Sequence, residues 1–142
     1  MKKIVLLAIG IFAAAVMASS REVPVTFDQL PSAAKTFVTE NFPGETVTMA
    51  LKDIHGRAEY DVRLSDGTEL EFTHSGALKK ISSRAGVSEK FIPDSIRRYV
   101  TSLFPGAGYR EYEVGRRSYE VKLSNGMELK FNSRFMVMEV DD

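Results

Sequence analysis

Tyr60–Phe72 reads YDVRLSDGTELEF, and Tyr119–Phe131 reads YEVKLSNGMELKF. Eight of these thirteen positions are identical, and Asp61/Glu120, Arg63/Lys122 and Asp66/Asn125 keep the same chemistry. In each stretch Tyr, Val and Leu alternate with charged residues, the period-two pattern of a strand with one apolar and one solvated face. Ser65-Asp66-Gly67 and Ser124-Asn125-Gly126 then supply Asp-Gly and Asn-Gly, strong signals for a two-residue hairpin. A type I′ turn is expected, with both central residues at positive φ. Leu70 and Phe72, like Leu129 and Phe131, bring the chain back with the same apolar face inward.

The repetition extends upstream. Phe37-Val38-Thr39 and Phe42-Pro43-Gly44 recur as Tyr99-Val100-Thr101 and Phe104-Pro105-Gly106. The offset is 62 there and 59 in the hairpins, so the second copy lacks three residues near the His55-Gly56 loop. Leu30, Ala34, Phe37, Val38, Asn41 and Phe42 lie near one face of a helix, and Ile92, Ile96, Tyr99, Val100, Leu103 and Phe104 do so in the second copy. Pro31 and Pro93 stand where a first helical residue would, with φ already set. Pro43-Gly44 and Pro105-Gly106 end the helices, because proline disfavours helical geometry in the residue before it.

Weaker strands precede each hairpin, at 47–52 and 109–114, and follow it, at 78–83 and 136–140. The chain is therefore an α+β protein of two tandem repeats, each a helix followed by an antiparallel four-stranded sheet. Their boundaries are 24–84 and 87–142, with Arg84 to Lys90 as the joint. The helix covers one sheet face and the polar alternation leaves the other wet.

The N-terminus speaks to compartment. Lys2 and Lys3 precede an apolar run from Ile4 to Ala18, and Val16-Met17-Ala18 fits the small-residue rule for signal cleavage. The run is shorter than the roughly 20 residues of a membrane-spanning helix. Residues 1–18 read as a signal peptide cleaved near Ala18, which places the mature chain in the periplasm or outside the cell, with no membrane insertion. No cysteine follows to carry a lipid or close a disulfide. Loss of Lys2 and Lys3 leaves 17 basic against 19 acidic side chains, a balance with no electrostatic reason to bind nucleic acid.

Nothing in the sequence assembles a catalytic set. His55 and His74 have no partners at metal-ligand spacing, and a zinc site needs several convergent ligands. Asp61, Glu69 and Glu71 could pair as acid and base, but alternation puts them on a solvated face beside Arg63. No nucleophile elbow, phosphate loop or zinc-protease helix occurs. The less ordinary feature is Phe135-Met136-Val137-Met138, four apolar residues in a strand that should be half buried. Alternation sends either Phe135 and Val137 or Met136 and Met138 outward, and exposed aromatic or Met patches mark protein contacts. Tyr109 and Tyr112 pose the same question. Tyr109, Tyr112, Phe135, Met136 and Met138, with Glu71 and Lys130 where the copies differ in charge, are the candidate binding residues.

The helix–Phe-Pro-Gly pattern followed by Y-x-V-x-L-S-[DN]-G-x-E-L-x-F, repeated behind a signal peptide, resembles the PepSY-like family of β-lactamase-inhibitor-like periplasmic proteins. The resemblance spans Phe27 to Val140. It implies a fold similar to β-lactamase inhibitor protein, two helix-plus-sheet repeats whose sheets can join side by side, with an open sheet face that grips a partner. It carries over no catalytic residue and no cofactor. The expected function is a non-enzymatic exported binding or inhibitor-like module whose sheet face contacts another envelope protein. The alternative is a small-ligand carrier or envelope sensor with a pocket between the repeats. Direct β-lactamase inhibition is not expected, since fold alone does not transfer function.

Overall fold

Helix, four strands; helix, four strands: that series runs through the computed structural model, which describes residues 22–55 and 59–142. The signal peptide expected at 1–18 lies outside the described residues. A short β1 (Glu22–Pro24) and a 3₁₀ turn (Phe27–Gln29) lead into α1 (Ser32–Asn41). Then come β2 (Val47–Asp53), β3 (Tyr60–Leu64), β4 (Glu69–Phe72) and β5 (Leu78–Val87). After a second 3₁₀ turn (Glu89–Phe91) follow α2 (Asp94–Leu103), β6 (Tyr109–Val114), β7 (Ser118–Leu123), β8 (Glu128–Asn132) and β9 (Val137–Asp141). The loop before the hairpin spans 54–59 in the first half and 115–117 in the second, where the three-residue difference was expected.

A four-stranded sheet was expected in each repeat, the two able to join side by side; they do join, and with β1 the strands form one nine-stranded antiparallel sheet in chain order, β1 to β9. β5 makes the join. It runs on to Val87 and pairs with β6 through Lys80–Glu113, Ile81–Tyr112, Ser82–Glu111 and, past a bulge, Val87–Tyr109. Much of the expected joint at Arg84 to Lys90 is thus strand, because an edge left open at β5 would expose unpaired backbone groups. β1 was not foreseen; it pairs with β2 and covers part of the other edge.

One cross-strand row shows where the core lies: Val62, Leu70, Ile81, Tyr112, Val121 and Leu129 are neighbours across β3 to β8, and all are buried. Ala34 and Val38 of α1 and Ile96 and Val100 of α2 join the same cluster, so both helices cover one face of the sheet. The helix–sheet contact repeats as well. Phe37 meets Phe72 edge-on at 5.6 Å between ring centres, and Tyr99 meets Phe131 edge-on at 5.7 Å. Phe91, at the end of the second 3₁₀ turn, stacks on Phe42 at 6.1 Å and ties the seam to the end of α1.

Two local expectations are corrected. Pro31 and Pro93 are helix caps rather than first helical residues: their φ is helical but ψ is extended, and their carbonyls accept the first intrahelical bonds, from Lys35 and Arg97. The hairpins are not type I′. Gly67 (φ 91°) and Gly126 (φ 93°) are at positive φ, while Asp66 and Asn125 are not. Gly67 N–H donates to Leu64 O, and Leu64 N–H donates to Thr68 O, a three-residue loop with a glycine bulge. The reason is side-chain chemistry: Asp66 Oδ1 accepts from Thr68 N–H and Asn125 Oδ1 from Met127 N–H, both at 2.9 Å. That local bond holds the Asx residue on the right-handed side and leaves the left-handed position to glycine alone.

Candidate functional site

Opposite the helices the sheet presents a face that no described helix covers. Because side chains alternate, the neighbours of the core row point there. Leu51, Asp61, Glu71, Lys80, Glu113, Glu120, Lys130 and Glu139 form one row across β2 to β9. Met49, Arg63, Glu69, Ser82, Glu111, Lys122, Glu128 and Asp141 form the next. Together they carry nine carboxyl groups and four basic groups, so this face is acidic although the whole chain balances at 19 against 19.

The cations lie between acids. Lys80 Nζ is 3.1 Å from Glu111 Oε2 and 3.9 Å from Glu71 Oε2, which bridges the two halves, and Lys122 reaches Glu111 Oε1 at 3.5 Å. Arg63 pairs with Glu69 across the first hairpin, and Lys79 with Glu59 at 2.9 Å. Burial opposes the charge on Lys80, but its hydrogen bond to Glu111 and the charges of Glu111, Glu71 and Glu113 prevail and hold its pKa above the usual lysine value. Among the described residues no cation acts on Asp61 in this way. Burial first, then the charge of Glu71, then the hydrogen bond and charge of Glu22 and the charge of Glu59 push its carboxyl up to about 7.

The candidate residues divide. Glu71 and Lys130 lie half-buried on the helix-free face, in one row. Tyr109 and Tyr112 do not: both are buried in the core. A bulge between Tyr109 and Glu111 shifts the alternation, so residues three apart face the same side. Burial pushes the Tyr112 hydroxyl up to about 12, with a further contribution from Tyr119. Phe135 is half-buried and stacked on Tyr119 at 4.8 Å. Met136 (61% exposed) and Met138 (59% exposed) are open, and Val137 and Val140 are exposed too, because β9 is the sheet's last strand. Lys80, Glu111, Glu113 and Glu120 were missed as candidates. Their period-two spacing in β5 to β7 was a readable signal, but only the pairing shows that they form one surface.

His55 and His74 are exposed, and His55 N–H donates to Asp53 Oδ1. Among the described residues no group of three or more His, Cys, Asp or Glu side chains is placed to hold a metal ion. No described helix is long and apolar enough to cross a membrane. A cleft of about 570 Å³ lies at the seam, lined by residues 84–89, Gly108, Tyr109, Arg110 and Ser124.

A family model described as "Putative beta-lactamase-inhibitor-like, PepSY-like" matches residues 15–56 and 58–139. Three crystal structures are similar over most of the chain. A "putative periplasmic protein" of Bacteroides vulgatus is 34% identical with a TM-score of 0.82, the match covering 87% of this chain and 98% of that one. A "putative calcium-regulated periplasmic protein" of Bacteroides thetaiotaomicron is 29% identical with a TM-score of 0.82, covering 87% and 99%. A second Bacteroides vulgatus periplasmic protein, of unknown function, is 30% identical with a TM-score of 0.79, covering 85% and 99%. No curated protein gives a significant match.

Proposed function

The chain belongs to the PepSY-like family, and from that membership we propose that it is a non-enzymatic periplasmic module that binds a basic surface of another envelope protein through its helix-free sheet face. The observation that carries the reading is the pair of charged rows, nine carboxyl groups against four basic ones on neighbouring strands. Such a surface steers an oppositely charged partner and fixes its register more than it supplies raw affinity. An interface of ordinary size, about 800 Å² per partner, would span several of these strands. The periplasmic description of the similar structures supports the location, as does the signal-like N-terminus, with cleavage near Ala18.

The test is affinity capture from the native envelope extract. A partner should be retained at low salt, released as ionic strength rises, and lost when Glu113 and Glu120 are both changed to Lys. Retention indifferent to that reversal, or lost equally when Arg98 on the exposed side of α2 is reversed, would exclude the face.

A second reading, a small-ligand carrier or envelope sensor, draws on the seam cleft, which Arg84 and Arg110 line. Its walls are mostly exposed and only Val87 and Tyr109 give it a buried apolar floor, whereas ligand sites are predominantly apolar enclosures. A thermal-shift response to small anions that disappears in Arg84→Ala/Arg110→Ala would favour it.

A further inference from the structure

The repeat provides an internal standard for an occupied strand edge in this fold. Lys80, Ile81 and Ser82 of β5 correspond, at the offset of 59, to Glu139, Val140 and Asp141 of β9. Both sets meet the preceding strand in the same register: Lys80–Glu71, Ile81–Leu70 and Ser82–Glu69 in one, Glu139–Lys130, Val140–Leu129 and Asp141–Glu128 in the other. Even the irregularity recurs, between Glu71 and Phe72 and between Lys130 and Phe131. The difference lies on the far side. β5 goes on to pair with β6, and Ile81 against Tyr112 is 1% exposed; β9 has no further neighbour among the described strands, and Val140 is 41% exposed.

We propose that β9 is a docking edge for an extended basic segment of a partner protein, which adds to β9 antiparallel, as β6 adds to β5. An open edge offers a row of backbone donors and acceptors, and strand addition is a recurring way to recognise extended peptides. The β5–β6 seam indicates the side chains required. There an apolar residue, Tyr112, covers Ile81, and acids, Glu111 and Glu113, answer Lys80. At β9 the central residue is again apolar but the flanking charge is inverted, with Glu139 standing where Lys80 stands and Asp141 two residues on. The incoming strand therefore carries Lys or Arg opposite Glu139 and Asp141 and an apolar side chain opposite Val140, with Met138 beside it.

A second copy of this chain does not meet that requirement. Two β9 strands paired antiparallel with Val140 opposite Val140, the register β6 takes on β5, would set Glu139 against Asp141, and like charges opposite one another destabilise a sheet. β2, which opens the first half as β6 opens the second, presents Met49 and Leu51 rather than cations on that face, and it already pairs with β1. The inference rests on reading the chain as a protein-binding module, but it uses the edge of the sheet rather than its face.

The probe is a fluorescent peptide YRKYKV, the β6 sequence of Tyr109–Val114 with Lys in place of both glutamates, titrated by anisotropy into the purified protein. It should bind about tenfold more tightly or better than YREYEV, and the Glu139→Lys/Asp141→Lys variant should invert that preference. N-methylation of alternate amides along one edge of the peptide should abolish binding, and along the other edge should not. Equal affinity for both peptides, or binding indifferent to the charge reversal or to N-methylation, would overturn the proposal. Because β9 is exposed, circular dichroism should show the reversed variant folded. The Glu113→Lys/Glu120→Lys variant should keep peptide binding while losing the envelope partner, so the edge and the face can fail separately.

Discussion

Phe135 occupies, at φ 62°, the turn position that Gly76 occupies at φ 94° in the first half. The two turns share a hydrogen-bond plan, Gly76 N–H to Thr73 O and Phe135 N–H to Asn132 O, yet they do different things. A Cβ on Gly76 would lie 2.9 Å from Ala34 N and 3.0 Å from the Cβ atoms of Ala33 and Pro31, so α1 begins directly on this turn. Phe135 instead sends its ring onto Tyr119, which stacks in turn on Tyr112 at 6.5 Å. Left-handed backbone costs a non-glycine residue on the order of 1 kcal/mol, and an aromatic pair returns about 0.5–1.5 kcal/mol.

Substitution at the two positions should therefore differ. Gly76→Ala is expected to lose about 2–4 kcal/mol, from the backbone conformation together with forced separation of helix and turn. Phe135→Gly trades strain for lost stacking and should change stability by less than about 1 kcal/mol. Urea unfolding of both variants decides this; equal losses would show that Gly76 does not seat the helix.

The hairpin glycines form a cleaner case. A Cβ at Gly67 or Gly126 would meet nothing within 4 Å, so only the positive φ resists substitution. Gly67→Ala and Gly126→Ala should each cost about 1 kcal/mol, and Gly67→Asn less, because Asn tolerates the left-handed region. A loss above about 3 kcal/mol at either site would point to a contact rather than to conformation.

Asp61 makes stability depend on pH in a direction opposite to that of a salt-bridged acid. Its carboxyl titrates near 7 in the fold, against 3.8 as the ordinary value, so the folded chain holds a proton that the unfolded chain releases. Its contribution is fully present below about 3.8 and is lost as pH rises through about 7. Asp61→Asn keeps a neutral side chain at every pH. The melting temperature of the variant, relative to the parent, should rise between pH 5 and pH 8. A difference that stays constant would mean that neither burial nor the neighbouring Glu71, Glu22 and Glu59 raises the Asp61 carboxyl.

The seam between the halves is electrostatically tied by Lys80 and Glu111, the latter 15% exposed. The raised pKa of Lys80 means that this tie is intact throughout the neutral range and weakens only above the ordinary lysine value of 10.5. A double-mutant cycle with Lys80→Met and Glu111→Gln should give a coupling of about 0.5–1 kcal/mol. Zero coupling would leave the join to the β5–β6 ladder and the stacking of Phe91 on Phe42.

Much of the architecture was legible because it is local. The helix stripes, the Pro-Gly stops and the alternation of Tyr60, Val62 and Leu64 depend on neighbours within a few residues. The turn type was misread because Asp66 bonds to Thr68 N–H and takes the conformation that this bond favours. Which way Tyr109 and Tyr112 face stayed open in the sequence because one extra residue in β6 changes which face each side chain takes. The surface that forms the candidate site was legible only in pieces, such as the solvated run of Asp61, Arg63, Glu69 and Glu71: its members lie on eight strands from both halves, and only the register brings them into rows.

Sequence alone thus determined the duplication, the class of each element and the inward residues of both hairpins, since the 3.6- and 2-residue periods are properties of a single segment. The tertiary structure decided that two units make one sheet, that its helix-free face is acidic, and that β9, paired only with β8 among the described strands, ends it. Those outcomes depend on pairing between distant strands, which no local period encodes, and burial at β5 and exposure at β9 follow from that pairing.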